Sequence, residues 1–429
     1  MRITEIEITR AGQLQELSGR LGNFRLWWRF PADCTVWARG DAFLTMALLP
    51  AMAMGEPVEV ESSAPVSPKL FAALDHVQDI FCDWDARLRK VPLQAALAEP
   101  EPADGVGSCF SGGVDAGYTY CRHAAEISHW IFLRGHEIPF HDTGVFDAVE
   151  QRLRTLAAGE GKTLVWVETN RQKLNMQLER LFPGSGVRGD GGFWGLLNSQ
   201  GLAQGSILAA TALALGLKRV YIASDHTYRE LFPWSSHPVL TPLWSTEATE
   251  FVLDGAEARR SEKLRFLSAH PELMNILRVC REGGAYNCGA CGKCVRTRLT
   301  LRLLGLSAPT LPPLHSLRPL RKVRVADISD WTYFEDNLRL AEEAGDRAAA
   351  RVLRWKMLCY SQRELLKKFD EELLGGALKQ LVGKARRLRP RRAAPASALP
   401  PKPQPALPAR GPAGEEEMAP ASASGKGRR

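Results

Sequence analysis

Apolar residues along the chain fall into short continuous runs separated by stretches with helical spacing. Val106–Phe110, His129–Leu133, Leu164–Val167, Arg219–Ala223 and Phe251–Leu253 are such runs. Between them, Ala116–Ala125, Val145–Ala157 and Gln200–Leu215 repeat apolar positions every three or four residues. Short apolar runs suit strands buried on both faces, and their alternation with helices predicts a parallel sheet covered on both sides. The expected fold is therefore α/β, a Rossmann-like parallel sheet with helices on both faces. Ahead of it, strands over Phe24–Phe30 and Thr35–Ala38 and a helix over Ser67–Trp84 suggest a small α/β lobe. The polar, proline-bearing Ala98-Glu99-Pro100-Glu101-Pro102 reads as a boundary after that lobe. Beyond a helix at Leu299–Leu304, residues 307–325 are proline-rich, and two or three helices follow over 331–380 with Ser329 or Asp330 as the cap. The expected units are 1–100 (small lobe), 101–279 (sheet domain), 280–305 (cysteine segment), 306–383 (helices) and 384–429 (a disordered basic Pro/Ala-rich tail).

Composition narrows the class. The chain has 429 residues, 45% of them hydrophobic, enough for a sizeable core. No run approaches the roughly 18 apolar residues that span a bilayer, and the opening Met1–Glu7 alternates with acids, so a cytoplasmic protein without a membrane partner is expected. The net charge of +8 is confined to Lys384–Arg429, with eleven basic and three acidic residues; the other 45 basic and 45 acidic residues cancel. A neutral body argues against nucleic acid as the partner.

Two motifs carry chemistry. Ser111-Gly112-Gly113-Val114-Asp115 sits between a strand and a helix. Paired glycines let the backbone approach a ligand closely, and the helix start offers free N–H groups and a positive dipole end to an anion. Ser111 adds a hydroxyl, and Asp115 could hold a metal ion or orient the loop. Thr169-Asn170 and Ser224-Asp225 also follow strand ends, where α/β sheets bind ligands, and are candidates for contacts to adenine, ribose or substrate. Gly161-Lys162-Thr163 only imitates a kinase-type phosphate loop: Leu156 stands where that loop needs a glycine, and a strand follows instead of a helix. The second motif is Cys280-x7-Cys288-x2-Cys291-x2-Cys294. Two-residue gaps bring thiolates together, and four of them suit a closed structural zinc site in preference to an iron–sulfur cluster, whose common run places its fourth cysteine downstream before a proline.

In this order the two motifs resemble the PP-loop ATPases (adenine nucleotide alpha-hydrolase-like), and among them the 7-cyano-7-deazaguanine synthase family, over roughly residues 105–305. The resemblance implies the HUP/PP-loop variety of the fold and ATP cleaved between its α and β phosphates. It implies a ligase that adenylates a small carboxylate, of deazapurine-like kind in the family, followed by attack of ammonia or another amine. Ser111, Gly112, Gly113, Val114 and Asp115 would then hold pyrophosphate and Mg²⁺, with Ser111 and Asp115 catalytic, and the four cysteines would hold a bracing Zn²⁺. Ala116 departs from the family's final loop serine, which weakens the case for turnover. Two alternatives stay open: a tRNA sulfur transferase using the same loop, and a non-catalytic ATP-binding sensor or scaffold. A homodimer and a protein partner on the C-terminal helices are compatible with either.

Overall fold

The computed structural model describes residues 1–134, 138, 143–171, 173–174, 202–280, 282, 284–375 and 377; the tail expected at 384–429 lies outside them. At the N-terminus, β1 (Arg2–Ala11), β2 (Leu14–Leu21) and β3 (Phe24–Pro31) form an antiparallel meander joined by two-residue turns at Gly12-Gln13 and Gly22-Asn23. Then come α1 (Gly40–Met54), β4 (Val58–Val60), α2 (Pro68–Trp84) and β5 (Leu93–Gln94). Helix α2 starts where the sequence says it should, with the Ser67 hydroxyl accepting from Leu70 N at 3.0 Å and Pro68 in the first turn.

The alternating region gives β6 (Val106–Cys109), α3 (Val114–Arg122), β7 (His129–Arg134), α4 (Thr143–Gly159), β8 (Thr163–Thr169), α5 (Leu202–Leu213), β9 (Arg219–Ala223) and β10 (Glu250–Asp254). Strands β6 to β10 run parallel in the order β10-β9-β6-β7-β8. That order places the topological switch point between β6 and β9, the position at which doubly wound sheets bind ligands beyond their carboxyl ends. One buried cluster, with α1 and α5, covers one face, and a second, with α3, α4 and the cysteine segment, covers the other.

The expected boundary near residue 100 does not separate two bodies. Strand β3 pairs antiparallel with β8 (Trp28 with Thr169, Arg29 with Glu168), so all ten strands make one sheet, wholly parallel over β6–β10 and mixed beyond β3, where β1 pairs antiparallel with β2 and parallel with β4, and β4 parallel with β5. Trp28 is fully buried, and its indole donates to Thr211 Oγ1 of α5 at 3.2 Å. The polar joint at 98–102 is a surface connection between elements sharing one core. Residues 1–364 form one compact unit.

Two smaller expectations are also corrected. Thr35–Ala38 is not a strand: only Val36 bridges, to Leu215, because the segment is pinned across the end of α5 by Trp37 N to Ala214 O at 3.0 Å and Gly216 N to Thr35 O at 3.2 Å. After α6 (Arg260–Leu267), α7 (Pro271–Met274), α8 (Gly292–Leu303) and α9 (Arg318–Lys322), helix α10 (Ile328–Glu343) is capped by neither Ser329 nor Asp330. Asp327 caps it, accepting from Asp330 N at 2.8 Å, which leaves Ser329 and Asp330 free for tertiary contacts. Helix α11 (Arg347–Leu373) ends the described elements. No helix among the described residues is long and apolar enough to cross a membrane.

Candidate functional site

Beyond β6 the chain turns through Ser111-Gly112-Gly113 into α3. Gly112 adopts φ +72°, and a Cβ there would sit 3.3 Å from Ile276 O, so both conformation and space ask for glycine. Arg278 N donates to Gly112 O at 2.9 Å, which ties the loop to the segment 276–279. Gly113 is the N-cap of α3 and uses no side chain, so the first N–H groups of the helix open toward the cleft.

That cleft encloses about 1080 Å³ including its mouth, and Ser111, Gly113, Val114, Asp115 and Asp225 line it. Facing them are Arg260 of α6, Arg278, and Lys293 and Arg296 of α8. Its apolar side comes from the ends of β7 and β9 and from Leu208 of α5. Ser111 and Asp225 thus meet across the switch point.

Asp115 occupies a different setting from the open metal ligand the sequence suggests. Its Oδ2 is ion-paired with Arg260, and its Oδ1 receives Lys263 Nζ at 3.2 Å. Lys263 is 1% exposed and also donates to Ser224 O at 2.6 Å. Burial alone would raise the Asp115 carboxyl, but the two cations outweigh it and hold it at about 2. Both oxygens are engaged, so the residue fits a role in fixing two cations better than one in metal coordination. Asp225 is the cleft carboxylate better placed for a cation: Trp234 Nε1 donates to its Oδ2 at 2.9 Å, and among the described residues no hydrogen bond reaches its Oδ1.

The other rim candidates divide. The Ser224 hydroxyl is buried and donates to His226 O at 2.7 Å. Asn170 accepts from Trp27 N at 2.9 Å and donates to Arg25 O at 2.7 Å, fastening β8 to β3, and Thr169 is fully buried. Thr169, Asn170 and Ser224 are therefore consumed by the fold, and none of them lines the cleft. Gly161-Lys162-Thr163 stands at the opposite, amino end of β8, with Lys162 Nζ donating to Ala124 O at 2.6 Å.

Sequence reasoning missed Arg260, Lys263, Arg278, Lys293, Arg296 and Tyr333. Basic residues inside and beside the cysteine motif were a readable hint for three of them. Nothing in the sequence linked Tyr333 to the loop. Its ring lies 3.8 Å from the Arg296 guanidinium and 5.6 Å from that of Arg260, and its hydroxyl donates to Asp225 O at 3.2 Å. Helix α10 is fixed there by His226, whose ring nitrogens meet Ser329 Oγ at 3.0 Å and Thr332 Oγ1 at 3.2 Å.

The four cysteines converge. Their sulfurs lie within 4.8 Å of one another, with Cys280 to Cys291 and Cys288 to Cys294 both at 3.9 Å. A tetrahedron with metal–sulfur bonds of about 2.3 Å has edges near 3.8 Å, so the thiols could hold a metal such as zinc. Backbone N–H groups of Cys291 and Cys294 point at Cys288 Sγ (3.3 Å) and Cys291 Sγ (3.4 Å), which favours thiolates. Hydrogen bonds from Cys280 and Cys294 hold the Cys291 thiol well below its ordinary value. The knuckle also grips the segment behind the loop. Asn287 binds Leu277 O at 2.8 Å and Val279 N at 2.9 Å, and Thr310 Oγ1 donates to Leu277 O at 2.6 Å. A rigid connection therefore runs from the cysteines through 276–279 to Gly112. Compared with known protein families, curated proteins and solved structures, the chain matches none.

Proposed function

We propose that the cleft binds the polyphosphate of ATP with Mg²⁺ and that the protein adenylates a small carboxylate, releasing pyrophosphate, before an amine displaces AMP. One observation carries the reading: a helix N-terminus entered through a double-glycine bend faces a wall of four cations, Arg260, Arg278, Lys293 and Arg296. Backbone N–H groups and fixed guanidinium groups are the donors that stabilise charge building on a phosphoryl group and its leaving pyrophosphate. Asp115 serves this arrangement by holding Arg260 and Lys263 in place, and Ser111 offers a hydroxyl to a phosphate oxygen. Magnesium accompanying the nucleotide would draw on phosphate oxygens, water and Asp225. Ala116 is buried at 7% exposure, so the missing hydroxyl leaves the main-chain cradle unchanged.

The sulfur-transfer alternative gains nothing from the thiols near the loop. Burial pushes Cys109 up to about 12, and burial with nearby Glu272 pushes Cys121 to about 12 as well, so neither is a ready thiolate. The test is incubation with α-labelled ATP and a panel of carboxylates. AMP and pyrophosphate support the proposal, ADP and phosphate refute it, and binding with no turnover for any carboxylate or amine returns the sensor reading.

A further inference from the structure

We propose that Arg171 is an oxyanion-binding residue, and that the ligand of this protein carries a second carboxylate or phosphate group to pair with it. Arg171 follows Thr169-Asn170 directly at the carboxyl end of β8. It is 6% exposed, and its Nε and Nη1 are buried with no hydrogen-bond partner among the described residues. Its backbone N–H donates to Thr169 Oγ1 at 3.4 Å.

Other arginines with little exposed surface are treated otherwise. Arg134, at the end of β7, pairs with Glu168 at 2.8 Å; Arg296 pairs with Asp330 at 2.7 Å; Arg260 pairs with Asp115. Arg171 forms no ion pair with any described carboxylate. Burial pulls its pKa down to about 10, which still leaves it charged at neutral pH. A guanidinium does not escape burial by losing its proton, and an uncompensated buried ion is among the costliest features a fold can retain. Its planar fork matches a carboxylate or phosphate through two parallel hydrogen bonds.

Position suggests what the anion belongs to. Strands β6, β7 and β8 are consecutive in the sheet, so at about 4.8 Å per strand the ends of β6 and β8 stand roughly 10 Å apart. A substrate whose reacting carboxylate lies at the glycine loop would reach Arg171 with a second anionic group at its far end. This spatial assignment rests on the function proposed above; anion binding by Arg171 does not.

The experiment follows thermal stability and binding heat of the full chain against inorganic phosphate and against dicarboxylates of increasing length, without nucleotide. The wild type, Arg171→Met and Arg171→Lys are compared, with ATP–Mg²⁺ titrated separately. Wild type is expected to gain stability through the millimolar range. Arg171→Met should lose that gain, and Arg171→Lys should keep it with affinity weakened by about tenfold or more. A response to phosphate alone marks a phosphate-bearing ligand, and a length-dependent response to dicarboxylates marks a carboxylate. If ATP gives no heat while the anion response still depends on Arg171, the nucleotide reading falls and this one stands. If wild type shows no anion response, or Arg171→Met responds as wild type does, this inference is overturned. Should Arg171→Met fail to fold, an unchanged affinity in Arg171→Lys overturns it equally.

Discussion

Replacing Asp115 by Asn tests whether the carboxylate is a strut for buried cations or an open ligand. In the structure its side chain is 14% exposed, between Arg260 at 11% and Lys263 at 1%. A folded-state value of about 2 against an ordinary 3.8 makes the ionised group worth about 2 kcal/mol by linkage. The substitution does more than forfeit that, because it leaves two cations without their counter-charge; breaking a buried pair from one side costs about 3–5 kcal/mol. At roughly 2–4 °C per kcal/mol, the melting temperature should fall by about 10 °C. Since the pKa is depressed in the folded state, the advantage of wild type over Asp115→Asn is fully present above pH 4 and fades as pH drops toward 2. Melts of both proteins at a series of pH values read the two effects together. An Asn variant that melts with the wild type at neutral pH, yet loses ATP binding, would refute the strut and restore the metal-ligand role.

Four further outcomes follow from the same geometry. Gly112→Ala places a side chain at φ +72° and 3.3 Å from Ile276 O, so a loss of about 1–2 kcal/mol in urea melts and weaker ATP heat are expected. Metal analysis should find one zinc per chain, and Cys291→Ser should remove it and weaken ATP binding through the 276–279 segment; an intact ATP isotherm in the metal-free variant would break that connection. Burial lowers His226 to about 4, so the folded protein resists protonating it, and stability should decline from pH 6.5 to pH 4 by up to about 3 kcal/mol; His226→Gln should flatten that decline. Trp28→Ala should cost about 3–5 kcal/mol, and residues 101–364 expressed without the first hundred should not fold, because β3 and its core partners would be missing.

What the sequence disclosed depended on how local each signal was. The strand–loop–helix unit around Ser111 and the cysteine spacing are contiguous in the chain, and backbone geometry makes both readable within about twenty residues. Strands β6 to β10 were legible because each carries a short, mostly apolar run at its centre. The union of β3 with β8 was not, since an antiparallel partner 140 residues away leaves no mark on the period of either strand. For the same reason the rim was misjudged. Strand-end polar residues such as Asn170 and Ser224 look alike in sequence whether they meet a ligand or fasten two strands, and only the hydrogen bonds to Trp27, Arg25 and His226 tell which.

The deepest consequence concerns helix α10, which follows the cysteine segment in the chain. Helix α10 supplies Tyr333 to the cleft and accepts His226 through Ser329 and Thr332, while Asp336 receives both Ser261 N at 2.9 Å and Ser261 Oγ at 2.7 Å from the first turn of α6. That turn also presents Arg260 to Asp115. Helix α10 is therefore part of the device that sets the cation wall. Its loss would expose Tyr333's partners Arg260 and Arg296 to water, where a guanidinium's pull on phosphate falls as the effective dielectric rises. Asp336→Ala tests this at a distance from the cleft: it should unlock α6 and weaken ATP binding, with Ser261→Ala, which keeps the bond from Ser261 N, giving a smaller effect and the double substitution little more than Asp336→Ala alone. Additive losses would show that the two residues do not act through one contact and that α10 merely covers the site.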